Sequence, residues 1–83
     1  MIGYLTGKLI SAKPTQILLD VNGVGYAIKI SINTFEKLTG KKTVSLYIFT
    51  NVKEDSITLF GFYSEAEKEM FELLISISGV GPK

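Results

Sequence analysis

Short apolar segments separated by turn-forming residues fill the chain from residue 2 to residue 62, and this pattern constrains the fold most. The clearest segment is residues 25–32, in which apolar side chains from Tyr26 onward alternate with small or polar ones. A period of two residues is typical of a half-buried strand. Asn22 and Gly23, just before it, are the residue types that adopt positive φ in a tight hairpin turn. The pattern predicts a region built from strands.

The spacing predicts strands at residues 2–11, 16–21, 25–32, 43–52 and 57–62. Residues 33–38 are too few for a full helix and are predicted to form a single helical turn. The fourth strand is apolar on both faces, so we expect it to be central or covered on both sides. Gly3 and Gly7 in the first strand indicate a bulge or a bend. Five short strands with a helical turn between the third and fourth are typical of a small OB-type barrel, closed or partly open.

The period changes at Ser64, which forms a capping box with Glu67 and so predicts the start of a helix. An apolar stripe at helical spacing follows. Its members are Ala66, Met70, Leu73, Leu74 and Ile77. Phe71 and Ile75 widen the stripe beyond what one small barrel needs, so part of it is expected to serve neighbours outside this chain. The residues expected to face away are Glu65, Lys68 and Glu72.

The segment after this helix carries the strongest indication of a ligand. Gly79 is a suitable residue to end the helix at Ser78, and Pro82 stands where a second helix would begin. Backbone N–H groups at such a helix start bind phosphate oxygens whatever the base sequence. The pattern predicts a helix–hairpin–helix interrupted after its hairpin, hence a fragment of a longer protein. An ordinary helix end followed by a turn is the alternative.

The residue types that are missing narrow the possible chemistry. The 83 residues contain no histidine and no cysteine, so a Ser-His or Cys-His nucleophile and a zinc ligand set are excluded. We expect no metal or cofactor, and an enzyme is the least favoured function. The net charge of +1 also argues against a polycation that coats nucleic acid. Any contact with DNA therefore depends on individually placed groups.

Charged and aromatic residues allow two interpretations. Residues 53–56 (Lys-Glu-Asp-Ser) are a solvated hairpin tip or, near DNA, a group that repels phosphates by about 0.5–1 kcal/mol per charge pair. Most lysines are interpreted as solubility charges, but Lys8 and Lys29 face outward on strands and could meet a polyanion. Aromatic side chains could stack on bases. The spacing of some of them favours the core instead, namely Tyr26, Phe49, Phe60 and Phe62.

Several motifs in register over the whole chain resemble the N-terminal part of the RuvA family, the Holliday-junction-binding subunits of bacterial branch migration. The matching pieces are Met-Ile-Gly-x-Leu-x-Gly from residue 1, Asp-Val-Asn-Gly-Val-Gly-Tyr at 20–26, Thr-Phe at 34–35, Lys-Glu-Asp at 53–55, Leu-Phe-Gly-Phe at 59–62 and Gly-Val-Gly-Pro-Lys at 79–83. The resemblance implies an OB-fold barrel over residues 1–63. It also implies that residues 64–83 begin a helix–hairpin–helix DNA-binding domain.

The resemblance also implies roles for individual residues. Glu54 and Asp55 would be an acidic pin, four copies of which crowd the centre of a junction and guide its separated strands. The groups that grip phosphates would be Gly79, Val80, Gly81, Lys83 and Lys53. The family often has arginine where this chain has Lys53, which is cationic but lacks a bidentate fork.

The implied partners are a four-way DNA junction, three further copies of the chain, and a RuvB-type hexameric ATPase that would bind a C-terminal domain absent here. A junction-resolving nuclease is a further implied partner, and the setting is the bacterial cytoplasm without a membrane. Two rival functions follow from the residues alone. One is an OB-fold oligomerisation or protein-interaction module with no nucleic-acid role, and the other is a sequence-tolerant single-strand binder with exposed aromatics.

Overall fold

The computed structural model describes residues 1–78, with side chains through Ser76. Within that range it contains β1 (Tyr4–Lys13), β2 (Gln16–Val21), β3 (Val24–Lys29), α1 (Ile32–Leu38), β4 (Thr43–Val52), β5 (Ile57–Phe62) and α2 (Glu65–Ser78). The strand count, the short helix between β3 and β4 and the helix after β5 confirm the predicted mainly-β architecture.

The five strands form a closed barrel in the order β1-β2-β3-β5-β4, with β4 returning to β1. Neighbouring strands are antiparallel except β3 and β5, which are parallel and pair over only two positions, Ile28–Leu59 and Lys29–Phe60. This is the OB-type topology, and of the two predicted forms it is the closed one. β4 pairs with β1 on one side and β5 on the other, as every strand of a closed barrel has two neighbours, and Phe71 of α2 covers its outward Phe49.

Aliphatic side chains fill the barrel. The buried residues are Leu5, Ile17, Leu19, Ile28, Ile30, Leu38, Val44, Leu46, Ile48 and Leu59. Most occupy alternate positions on their strands, because successive side chains of a strand point to opposite faces. The other parity of each strand points outward, and the candidate lysines Lys8 and Lys29 lie there.

The first strand differs from its predicted limits, since it runs over Tyr4–Lys13 rather than 2–11. Its bulge falls between Leu9 and Ser11, beyond both glycines. Gly7 instead marks a close approach of two backbones, because a Cβ there would collide with the carbonyl oxygen of Asp20 in β2. A glycine at this position lets β1 cross from β4 to β2.

The third strand is shorter than predicted. It ends at Lys29, and Ile32 is 58% exposed at the start of α1 instead of continuing the alternation. The Ser31 side chain ends the strand by capping α1, since its Oγ accepts a hydrogen bond from the Thr34 N–H at 3.1 Å. A serine oxygen that satisfies a free helix N–H favours the helix over another strand residue.

The predicted turn between β2 and β3 is confirmed. Asn22 and Gly23 have φ of 51° and 91°, and the Gly23 N–H donates to the Asp20 carboxylate at 2.8 Å. Positive φ at both central residues matches the right-handed twist of the flanking strands. The turn therefore fixes the register from Val21–Val24 to Gln16–Lys29.

The capping box of α2 is confirmed, but the helix packs through a different edge from the predicted stripe. The Glu67 carboxylate accepts from the Ser64 N–H at 3.2 Å, and the Glu67 N–H donates to Ser64 Oγ at 3.3 Å. Met70, Leu73 and Leu74 are each more than half exposed. The half-buried residues on the barrel side are Lys68, Phe71, Glu72 and Ile75. The expectation that Lys68 and Glu72 face away is therefore wrong.

α2 packs against the barrel through Phe71 because β4 and β5 carry aromatic rings on their outer faces. The Phe71 ring centroid lies 5.5 Å from that of Phe49, 5.6 Å from Phe60 and 5.1 Å from Phe62. These strand phenylalanines were expected in the core and instead form a second, external cluster. Of the four aromatics assigned to the core, only Tyr26 packs against it.

Over the described residues, no helix is long and apolar enough to cross a bilayer.

Candidate nucleic-acid interface

The loop between β4 and β5 carries the two carboxylates singled out from the sequence. We call residues 53–56 the acidic loop. The Lys53 N–H donates to the Ser56 carbonyl at 2.8 Å and closes the hairpin directly beyond the last strand pair, Val52–Ile57. All four loop residues are exposed. Glu54 and Asp55 therefore project from the tip of a two-stranded arm that the barrel holds at its base.

The arm is apolar where it leaves the barrel. Val52 is 62% exposed and Ile57 69% exposed, although both are β-branched and lie directly opposite each other. The arm therefore has an exposed apolar pair at its base and two carboxylates at its tip.

The N-terminal segment is fixed beside the base of this arm. Ile2 donates from its N–H to the Thr50 hydroxyl at 3.1 Å, and that hydroxyl donates to the Ile2 carbonyl at 2.6 Å. The Ile48 N–H donates to the Gly3 carbonyl at 2.9 Å. Residues 2 and 3 thereby extend the β1–β4 pairing toward the loop.

The two outward lysines considered for DNA contact lie far apart. Lys8 is opposite Asp20 on β2, and Lys29 is opposite Gln16 on the same strand. These two positions are four residue steps apart along β2, or about 13 Å at the rise of a strand. Both lysines are exposed. The strand partner of Lys8 is an acidic residue, whereas that of Lys29 is the neutral Gln16.

Lys53 lies in the acidic loop itself, next to the two carboxylates. The hairpin residues Gly79, Val80, Gly81 and Lys83 lie outside the described residues. Among residues 1–78, no group of three or more carboxylates is arranged to hold a metal ion. The described residues thus place one predicted DNA-binding cation, Lys53, next to the carboxylates of Glu54 and Asp55.

Sequence reasoning missed a tyrosine cluster on the outer face of β1 and β4. The Tyr4 and Tyr47 rings meet edge to face at a centroid distance of 5.0 Å. Tyr63, just after β5, lines a cleft together with these two tyrosines. Strand parity is the signal that could have revealed it, because Tyr4 precedes the inward Leu5 and Tyr47 follows the inward Leu46.

Comparison with known proteins decides the family. Residues 1–61 match the model of the RuvA N-terminal domain. The chain belongs to the RuvA family. The matched range covers β1 to β4, the acidic loop and β5 as far as Gly61.

Relatives of the RuvA family match over all or nearly all of the chain. The Holliday junction branch migration complex subunit RuvA of Geobacter sulfurreducens is 58% identical over 84 residues, covering 100% of this chain and 42% of the relative. The subunit of the same name in Christiangramia forsetii is 49% identical, covering 98% of this chain and 42% of the relative. That of Bacteroides thetaiotaomicron is 47% identical, with coverages of 98% and 40%. The chain thus spans less than half the length of these RuvA relatives.

Proposed function

We propose that this chain is the N-terminal part of a RuvA-type subunit that binds four-way DNA junctions and holds them open for branch migration. The observation that carries the proposal is the match over the entire chain to bacterial proteins named as Holliday junction branch migration subunits. The subunit is a non-catalytic one, and the work of moving the junction belongs to a hexameric ATPase of the RuvB type. The junction and its partners lie in the bacterial cytoplasm.

The acidic loop acts at the junction centre. Glu54 and Asp55 stand at the exposed tip of a hairpin, so they can approach a crossover without the barrel body colliding with the duplex arms. Each carboxylate near a phosphate repels it by about 0.5–1 kcal/mol in water, less in salt. Such repulsion is too small to prevent binding but large enough to select the path of a separated strand. Four subunits place four such tips together.

Attraction comes from groups around the tip. Lys53 offers a cation next to the carboxylates, and residues 79–83, which the sequence predicts to form a hairpin, would supply backbone N–H groups and Lys83 for phosphates. Residues 1–63 then form a barrel domain that carries the pin, and residues 64–83 begin a DNA-binding domain. The contact of Phe71 with the barrel supports this arrangement, because it ties α2 to the body that carries the acidic loop.

The test compares four-way DNA with duplex DNA of the same sequences. A chimera carries this chain in place of the matching N-terminal part of the Geobacter sulfurreducens RuvA, and its dissociation constants are measured by fluorescence anisotropy at two salt concentrations. We expect the chimera to prefer the junction and to lose affinity as salt rises, since released counterions drive phosphate contacts. Equal affinity for both DNAs contradicts the proposal.

The isolated chain is expected to bind the same junction far more weakly, because it offers few phosphate contacts. Tight, junction-selective binding by the 83 residues alone at physiological salt would show that the remainder of a RuvA subunit is dispensable. A gel-shift titration at low salt measures this.

A protein-interaction role is the second candidate, and the exposed apolar side of α2 favours it. Met70, Leu73 and Leu74 are 53–57% exposed and lie on one side of the helix. A module without a nucleic-acid role predicts no preference of the chimera for the junction over duplex DNA. The comparison of the two DNAs described above therefore separates the two functions.

A further inference from the structure

The outer face of β1 and β4 carries an ordered set of aromatic, hydroxyl and cationic side chains. Its cross-strand pairs are Tyr4–Tyr47, Thr6–Ser45 and Lys8–Thr43. The Thr6 and Ser45 hydroxyls are hydrogen-bonded at 2.8 Å, which keeps the polar middle of this face in place. The inward neighbours Leu5 and Leu46 are buried in the core and fix the strands from below.

A cleft of about 300 Å³ opens on this face, lined by Tyr4, Lys41, Thr43, Ser45, Tyr47 and Tyr63 among others. We call it the tyrosine cleft. Its size is at the lower end of the range of ligand-binding clefts, about 300–1,000 Å³. The Tyr4 ring is 53% exposed and Tyr63 39% exposed. Flat aromatic surface is therefore available to a ligand.

The charge of the tyrosine cleft is positive. Lys41 lines its wall, and the Lys37 ammonium lies over the Tyr63 ring, 5.4 Å from the centroid. The lining contains no carboxylate. The electron-rich face of the Tyr63 ring attracts the Lys37 ammonium and holds a second positive charge at this end of the cleft. The cleft thus suits an anionic ligand that also carries flat rings.

The distribution of aromatic side chains singles out this face. The outward phenylalanines of β4 and β5 are covered by Phe71 of α2. OB folds usually bind oligonucleotides on the face of β2 and β3. Here the outward residues of those strands are Gln16, Leu18, Asp20, Gly25, Ala27 and Lys29, none of them aromatic. The outward strand rings that are not packed under Phe71 are therefore the exposed Tyr4 and the half-buried Tyr47, and both lie at the tyrosine cleft.

We propose that the tyrosine cleft binds single-stranded nucleic acid, with bases stacked on Tyr4 and Tyr47 and phosphates facing Lys37 and Lys41. Aromatic platforms beside lysines are the general means of binding single strands without sequence preference. Tyr47 lies five residues before the end of β4, about 17 Å along the strand from the base of the acidic loop. A DNA strand deflected by the acidic loop can reach the tyrosine cleft. Binding of single-stranded nucleic acid in the cleft does not itself depend on a junction.

The chain provides its own optical probe. It has four tyrosines and no tryptophan, and three of the tyrosines line the cleft. Titration of the 83-residue protein with single-stranded oligothymidylate at low salt is expected to quench tyrosine emission to saturation. An abasic oligomer of equal length is expected to quench little, because it retains phosphates but offers nothing to stack. Equal effects of the two oligomers overturn the proposal.

Variants locate the binding. Tyr4→Leu and Tyr47→Leu are each expected to weaken binding of labelled oligothymidylate by about 5- to 150-fold, as for loss of one stacked base. Tyr26→Phe, on a ring that packs against the core, is the control and keeps the affinity. Circular dichroism checks that each variant is folded.

Two results overturn the assignment. One is an unchanged affinity in a folded Tyr4→Leu or Tyr47→Leu protein. The other is that oligothymidylate fails to bind while Tyr4→Leu lowers the oligomeric state measured by light scattering, which makes the cleft a contact between copies of the chain.

Discussion

The Thr50 hydroxyl is bonded twice to the backbone of Ile2, accepting from its N–H at 3.1 Å and donating to its carbonyl at 2.6 Å. The two hydrogen bonds of this buried side chain therefore take the place of a backbone pairing and hold the N-terminal segment against β4. We call them the Thr50 clamp. The hydroxyl is 48 residues away in sequence from its partner. Nothing local in the sequence distinguishes this threonine from its neighbours on the strand.

Thr50→Val is expected to lower the free energy of unfolding by about 1–3 kcal/mol, because it leaves the Ile2 backbone groups without their partner. Urea denaturation followed by circular dichroism measures the loss. Thr58→Val is the matched control, the same chemical change at a half-buried position of β5 outside this clamp. Equal stability of the two variants would show that the clamp contributes nothing.

Gly7→Ala is expected to destabilise the barrel by about 1–3 kcal/mol, the usual cost of overpacking. The added methyl collides with backbone of β2, which cannot rotate aside as a side chain does. Gly3→Ala serves as the control, because a Cβ there meets only the end of Lys68 at 3.9 Å. A thermal melt that gives the two variants the same midpoint contradicts the close approach of β1 and β2.

Phe71→Ala is expected to release α2 from the barrel and to reduce stability by about 1–3 kcal/mol, since a large half-buried ring is removed from three aromatic contacts. Hydrogen exchange of the α2 amides should accelerate while the barrel amides stay protected. Met70→Ala, on the exposed side of the same helix, should change stability by less than about 0.5 kcal/mol. Protection of α2 that survives the loss of Phe71 would mean that other contacts anchor the helix.

Neutralising the tip with Glu54→Gln and Asp55→Asn together is expected to tighten binding of the chimera to a four-way junction. Each lost charge relieves about 0.5–1 kcal/mol of repulsion per phosphate, or about two- to fivefold in affinity. Fold stability should be unaffected, because both side chains are exposed. Branch migration should change as the strands lose their guide. A collapse of junction binding would instead assign the pair a structural role.

The sequence predicts the barrel well where its signals are local. Alternation, the Asn22-Gly23 turn and the Ser64–Glu67 capping box each depend on residues close in the chain, and all three are confirmed. The predicted end of β3 was wrong because two local signals compete there. Ile32 fits the strand alternation, but the Ser31 cap assigns it to a helix.

The external aromatic surfaces could not be predicted for a different reason. Periodicity shows that Phe60 and Phe62 share a face, but not whether that face looks into a core or toward a helix from elsewhere in the chain. The tyrosine cleft depends on the pairing of Tyr4 with Tyr47, 43 residues later, which only the closed barrel establishes. For the acidic loop, local sequence was sufficient to predict an exposed tip.

The parallel pairing of β3 with β5 has a mechanical consequence. It joins only Ile28 with Leu59 and Lys29 with Phe60, whereas each antiparallel neighbour pair spans five or six positions. The barrel is therefore held least firmly between β3 and β5, and brief thermal opening should begin there. Opening at this pairing leaves a curled five-stranded sheet, and its two edges can pair again without unfolding of the other strands.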